Sequence, residues 1–259
     1  MDIAADDQHK TLKWMAKCYP LFIYNNILQM RNIQLANETK DSGKEQIRQD
    51  ILNASECFCN DLVGKYFLYV FNNRYIEVLF RKDSFSHLTG VETYLSGNDF
   101  YKKAKRKQLG LNQFYFNKIH PFDLAKKKSA ELYRLKEFTD SDIFILEEVT
   151  TASVTYKFGF TNFDCSLCLS ENVDTSTGVK INDLYIPMSF RIKDKIFDNS
   201  KSVYEVDFIF MKENTYKEYN ILMFGDINKI NSLPCDIINL IELNNRDMEY
   251  LDETASTKE

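Results

Sequence analysis

The sequence has few of the residues that break or loosen a polypeptide chain. Among 259 residues there are 8 glycines and 4 prolines, which excludes collagen-like, linker-like and low-complexity architectures. No apolar run approaches the roughly 20 residues that a membrane-spanning helix needs. Gly-rich phosphate loops, Ser/His/Asp nucleophile motifs, paired-carboxylate signatures and internal repeats are absent as well. What remains is a globular chain without a membrane segment or one of these familiar motifs.

The sequence has enough apolar residues for a core, and its positive charge is concentrated in one segment. Apolar residues make up 44% of the chain and aromatic residues 14%, which is enough for a substantial core. The whole chain has a net charge of −5, but residues 99–136 carry +8 and the remainder −13. A positive face on an otherwise acidic protein suits a polyanionic partner that must be held in one place.

The N-terminus and the cysteines favour a reducing compartment. The first residues, Met1 to Asp7, are acidic and lack the basic-then-apolar pattern of a signal peptide. We therefore expect a cytoplasmic protein whose six cysteines are reduced thiols. Cys57-x-Cys59 and Cys165-x-x-Cys168 would offer four thiolates to zinc, but residues three apart on a strand face opposite sides. We expect buried thiols, with no metal and no cofactor.

Hydrophobic periodicity predicts an α+β fold. Helices are predicted over residues 10–35, 44–63, 99–108, 121–135 and 227–243. Strands are predicted over residues 66–71, 75–80, 144–149, 154–160, 165–169, 184–192, 203–211 and 219–224. Helices come first, then a hairpin, basic helices and a run of strands. This order indicates N-terminal helices packed on an antiparallel meander sheet.

The stretch from Ser84 to Val91 combines a histidine, hydroxyl side chains and a glycine. Phe85 and Leu88 are spaced to pack inward from one helical turn. We expect His87 and Thr89 to face a cleft instead. Gly90 would allow a sharp turn, and the basic segment follows directly.

These residues resemble a known family. The string Phe85-x-His-Leu-Thr-Gly-Val91, then Asp99-Phe-Tyr101, then Lys128 with Leu132 and Leu135, then Tyr185-Ile-Pro-x-Ser189 before Lys193-Asp194, is similar to the phage-associated barnase–EndoU–colicin–RelE-like nuclease domains. The match covers residues 60–195 in order. It implies a small antiparallel sheet with N-terminal helices, and RNA cleavage without metal. Where that family often has Asn-Thr, this chain has Met188-Ser189, which keeps a hydroxyl but changes its shape.

The resemblance divides the chain into three parts. We expect an N-terminal helical extension over residues 1–43, a nuclease-fold domain over residues 44–226, and a C-terminal helix with a disordered acidic tail over residues 227–259.

Metal-independent RNA cleavage needs proton-transfer groups and cations around the phosphorane. We expect His87 to be the general acid or base, Lys128 to hold the phosphate, and Ser189 and Thr89 to donate hydrogen bonds. Arg191, two residues after Ser189 on the same strand face, would add a bidentate grip. The further substrate-binding candidates are Tyr101 and Tyr185 for base stacking and Lys102, Lys103 and Arg106 on a basic helix. His120, before Pro121, is expected to belong to helix initiation.

Three functions remain open at the level of sequence. The first is an endoribonuclease of a phage or mobile element, a toxin or effector cleaving RNA such as tRNA or mRNA by 2′-hydroxyl attack, with an antitoxin as a further partner. The second is an inactive protein of the same fold that binds and inhibits a host defence complex through its acidic surface. The third is a DNA- or tRNA-binding module without cleavage.

Overall fold

The computed structural model describes residues 29, 41–151, 154–174, 176–194 and 196–243. The chain divides into two units, Met1–Gln46 and Ile47–Glu259. In the first unit only residues 29 and 41–46 are described, and all of them are helical. The helix predicted over residues 10–35 (residue 29 apart), Cys18 and the acidic tail from residue 244 lie outside the described residues.

The second unit contains both helices and strands. Residues 41–57 are helical, and the part from Ile47 onward is called α1. The other α-helices are α2 (Phe85–Thr89), α3 (Gly97–Lys105), α4 (Phe122–Glu131), α5 (Glu137–Asp140) and α6 (Cys235–Ile238), and a π-helical turn, Phe58–Leu62, follows α1. The strands are β1 (Lys65–Phe71), β2 (Arg74–Leu79), β3 (Glu92–Thr93), β4 (Phe114–Tyr115), β5 (Phe144–Thr150), β6 (Thr155–Thr161), β7 (Cys165–Val173), β8 (Lys180–Ile192), β9 (Ser202–Glu205), β10 (Phe208–Glu213) and β11 (Ile221–Phe224). None of the described helices is long and apolar enough to cross a membrane.

Within the described part of the chain, nine strands form one sheet in the order β11-β10-β1-β2-β8-β7-β6-β5-β9. Strands β5 to β8 form an antiparallel meander. The pairing of β2 with β8 is parallel, with Val78 opposite Tyr185. The two short strands β3 and β4 pair separately. The predicted α+β class with a mostly antiparallel sheet is confirmed.

Strand β1 is buried on both faces because helices and loops cover both sides of the sheet. Phe67, Tyr69 and Phe71 point into the main core together with α1, while Leu68 and Val70 belong to a second cluster. The alternation follows from the two-residue period of a strand. A strand that is buried on both faces has a continuously apolar sequence, as residues Phe67 to Phe71 have.

Several predicted elements differ in extent for physical reasons. The hairpin turns at Asn72 and Asn73, which both adopt positive φ (46° and 56°), as a tight type I′ turn requires. The strand predicted over residues 203–211 is two strands with different partners, since β9 pairs with β5 and β10 with β1. The helix predicted over residues 227–243 is a 3₁₀ segment, Ile227–Ser232, followed by the short α6.

Candidate functional site

A cleft with a volume of about 970 Å³ opens between α2, α4 and the end of β8. A second cavity, of about 490 Å³, shares His87, Gly97, Ser170 and Met188 with it. The two together form an extended groove that passes His87. The charged and imidazole side chains lining the larger cavity are His87, Glu92, His120, Lys128, Arg191, Lys193 and Asp194.

Helix α2 presents His87 to this groove. Phe85 and Leu88 are fully buried, and the remaining side of the short helix carries His87, which is exposed. The helix ends at Gly90, whose φ of 77° is the left-handed conformation of a helix cap. His87 forms no hydrogen bond or ion pair with any described residue. Although His87 is open to solvent, the groove walls partly desolvate its ring and lower its pKa, against the opposing charges of Asp83 and Glu92. The neutral imidazole is therefore favoured at neutral pH.

Lys128 reaches the same groove from α4 through a narrow passage. Its neighbours Ala125 and Ser129 are buried on the same helix face, and Lys128 itself is only 6% exposed. A Cβ atom on Gly90 would lie 2.7 Å from Cδ of Lys128, so the glycine makes room for the lysine stem. Among the described residues Lys128 has no hydrogen-bond or ion-pair partner. Burial, helped by the nearby charge of Arg191, lowers the pKa of Lys128 to about 8.

The end of β8 contributes a hydroxyl and a guanidinium. Ser189 and Arg191 are two residues apart and both line the cleft, as the strand period predicts. Nη1 of Arg191 donates to Oδ2 of Asp194 at 2.6 Å, while its buried Nε has no partner among the described residues. Tyr156 of β6 lines the same cleft, and burial raises the pKa of its phenol. Lys193, exposed beside Asp194, adds another cation.

A second imidazole, which was not predicted from the sequence as a site residue, lines the cleft. Nδ1 of His120 lies 2.8 Å from Oε1 of Glu92, and both side chains line the cavity. The carboxylate of Glu92 also accepts from Nδ2 of Asn117 at 3.3 Å. His120 was expected to serve helix initiation; its backbone N–H does bond to Asn117 in the turn before α4. Its ring, however, forms a histidine–carboxylate pair that faces the groove.

Three predicted substrate contacts do not reach the cleft, and one of them, Tyr185, is 7% exposed with its ring edge-on to Phe158 in the core. Thr89 is fully buried, and its hydroxyl donates to the carbonyl of Ser86 at 2.7 Å, closing the turn of α2. Tyr101 is 2% exposed and packs edge-on against Phe58 and Phe85 in the core. Helix periodicity explains its burial, because Tyr101 shares the inner face of α3 with Ala104. In this structure Thr89 cannot donate to a phosphate, and neither tyrosine can stack on a base.

The basic segment is divided between the cleft and the outer surface. Lys102, Lys103 and Arg106 lie on or just after α3 and do not line the cleft. Arg134 is held by carboxylates: its Nε donates to Glu137 at 2.8 Å, and further ion pairs join it to Glu131 and Asp164. Part of the local charge of +8 is therefore neutralised within the fold.

The five cysteines that the structure describes do not assemble into one site. Across residues 41–151, 154–174, 176–194 and 196–243, no group of three or more His, Cys, Asp or Glu side chains is placed to hold a metal ion. Cys57 is exposed, whereas Cys165 and Cys168 are buried. Burial raises the pKa of Cys165 and Cys168 to about 11, so both remain protonated at neutral pH.

The comparison with known families identifies the fold around this groove. Residues 50–228 match the family model PBECR4, described as phage-Barnase-EndoU-ColicinE5/D-RelE like nuclease4. This range contains the sheet from β1 to β11 and every residue of the cleft. No curated protein and no solved structure matches the chain.

Proposed function

The chain belongs to the PBECR4 nuclease family, and from this premise we propose that it is a metal-independent endoribonuclease. A nuclease family implies a nucleic-acid substrate. We further propose that the substrate is RNA, such as tRNA or mRNA, and that the protein acts as a toxin or effector of a phage or mobile element. RNA is favoured over DNA because the groove combines two imidazoles with an ammonium. This set suits attack by the 2′-hydroxyl, which DNA lacks.

In the proposed reaction the groove supplies both proton transfers. His87, whose lowered pKa favours the neutral ring, takes the proton of the 2′-hydroxyl. The 2′-oxygen forms a bond to phosphorus while the bond from phosphorus to the 5′-oxygen breaks. His120 gives its proton to that leaving oxygen, and Glu92 orients the ring through Nδ1. The products are a 2′,3′-cyclic phosphate and a 5′-hydroxyl.

Three further side chains would stabilise the phosphorane. Lys128 brings an ammonium with no competing carboxylate contact, and a buried cation acts more strongly than one in water. Arg191 keeps donors beyond its bond to Asp194, and Ser189 offers a hydroxyl. These roles correspond to those expected from the sequence for Lys128, Arg191 and Ser189.

The observation that carries the proposal is the convergence of His87, His120 and a buried Lys128 on one groove. An isolated lysine ammonium is rarely buried without a partner, because desolvation disfavours the charged form. A strongly perturbed pKa inside a cleft marks a residue as a functional-site candidate. A protein that had kept only the fold would be free to replace such a lysine by an apolar residue.

The test is cleavage of mixed cellular RNA in buffer containing a chelator. The wild-type protein is expected to produce fragments with 2′,3′-cyclic phosphate ends, and His87→Gln to produce none while melting normally. Lys127→Ala, outside the cleft, serves as the folded and active control. Full activity of His87→Gln would remove His87 from the mechanism. Fragments with 5′-phosphate ends would contradict 2′-hydroxyl attack.

The same preparation separates the other two functions. Binding of RNA without cleavage would favour a binding module, and absence of RNA binding at low salt would favour an inhibitor of a host complex. We propose that Lys102, Lys103 and Arg106 attract RNA only at long range. Replacing all three with alanine should then flatten the salt dependence of binding and leave cleavage at saturating RNA unchanged.

A further inference from the structure

A stacked pair of tyrosine rings lies next to the groove on the β3–β4 ribbon. The ring centroids of Tyr94 and Tyr115 are 4.5 Å apart and the rings are inclined by 26°. Tyr94 is 74% exposed, so most of its ring is open to solvent. Glu92, two residues before Tyr94, lines the cleft. An open aromatic face is therefore held beside the proposed cleavage site.

The strand register connects this pair to the site. Glu92 lies opposite Tyr115, and the ribbon continues past β3 because Tyr94 N–H donates to the carbonyl of Gln113. Alternation along a strand places Glu92 and Tyr94 on the same face as Tyr115. Two residues of strand span about 7 Å, which is the length of about two stacked nucleotides. The rings thus lie within one or two nucleotides of the His120–Glu92 pair.

We propose that Tyr94, supported from behind by Tyr115, is a stacking platform for an unpaired base next to the cleaved phosphate. The inference rests on the proposed function and narrows its substrate to single-stranded RNA. Bases inside a duplex have both faces covered by their neighbours, so they cannot extend the tyrosine stack. Unpaired bases stack on exposed aromatic rings with little regard to sequence.

The experiment measures binding without cleavage. The probe is a single-stranded oligonucleotide with 2′-O-methyl groups throughout, which 2′-hydroxyl attack cannot cleave, labelled for fluorescence anisotropy. Tyr94→Ala and Tyr94→Leu are expected to weaken binding roughly 5- to 100-fold, since both lose the π face. Tyr94→Trp should keep the affinity. Tyr216→Ala, at another tyrosine that is 52% exposed, is the matched control and should bind like the wild type.

The outcomes separate this inference from the proposed function. Unchanged affinity of Tyr94→Leu, equal affinity of the wild type for a duplex of the same sequence, or no binding of the single strand would each overturn the platform. The contrast between Leu and Trp holds even where Tyr94→Ala fails to fold. Cleavage of natural RNA by the wild type is measured in parallel. If cleavage is absent while the Tyr94 effect on binding is present, the nuclease proposal fails and the platform stands.

Discussion

Replacing Lys128 with methionine is expected to stabilise the protein while removing its nuclease activity. The stem of Lys128 packs against Gly90, and methionine retains most of that apolar stem and fills irregular space well. Burial lowers the pKa of the ammonium from 10.5 to about 8. A depression of this size means that the charged form costs the folded state about 3 kcal/mol relative to the unfolded state at neutral pH.

The pH dependence of the effect follows from the direction of that pKa change. The unfolded chain holds the proton of Lys128 more tightly than the folded protein does, so wild-type stability rises with pH between about 8 and 10.5. Below pH 8 the penalty is fully present, and above 10.5 it is gone. The advantage of Lys128→Met should therefore be largest near pH 7, at about 3 kcal/mol or roughly 6–12 °C in Tm for a domain of this size, and should vanish near pH 10.5.

The assay is thermal unfolding across this pH range with a matched control on the same helix. Lys127 is the exposed neighbour of Lys128, and Lys127→Met should change stability by no more than about 0.5 kcal/mol at any pH. Cleavage should be lost in Lys128→Met and retained in Lys127→Met. A Lys128→Met protein that is less stable than the wild type at pH 7, or that cleaves RNA normally, would refute the reasoning.

Three further predictions concern the rest of the groove. Because desolvation lowers the pKa of His87, kcat/KM should rise with pH and reach half of its maximum below pH 6.5. A half-maximum above pH 6.5 would contradict the role of His87 as the base. Glu92→Gln should slow cleavage roughly 10- to 100-fold with little change in KM, since it loosens the imidazole that protonates the leaving oxygen; single-turnover kinetics would measure this, and an unchanged rate would exclude an orienting role. Gly90→Ala should destabilise the protein by about 2–4 kcal/mol in denaturant unfolding, from a strained φ and a collision with the lysine stem. Gly64 has the same φ but open space around it, so Gly64→Ala should cost only about 1–2 kcal/mol of stability. Equal losses of stability at the two glycines would show that a collision with Lys128 contributes nothing at Gly90.

Short-range features of the fold were readable from the sequence because they depend on neighbouring residues. The Asn72-Asn73 turn, the apolar strand from Phe67 to Phe71 and the glycine cap at Gly90 each follow from backbone preference or spacing within one element. The α+β class followed from the order of such elements. The family resemblance of the Phe85–Val91 string was likewise a local property, and the family match confirms it.

The sequence predicted only in part which side chains of a helix face the core. Lys126, Lys127 and Lys128 are adjacent in sequence, yet only Lys128 is buried, because it shares a face with Ala125. The spacing of three residues between Ala125 and Lys128 indicates this shared helix face. Tyr101 was expected at the surface but belongs to the inner face of α3, whereas Tyr94, which received no role, is the exposed ring.

The sequence by itself determined the class of fold, the main strands and the membership of a nuclease family. Only the tertiary structure decided which of the chemically suitable residues meet. His120 and Glu92 are separated by 28 positions. They meet because β3 and β4, strands of two residues that are too short to show a period, bring the turn before α4 next to Glu92. His87 and Ser189 line the same cleft because α2 follows β2, which pairs in parallel with β8. Such pairings form only when the whole sheet assembles. Their stability comes from burial shared by residues that are distant in the sequence, and the preferences of neighbouring residues do not encode it.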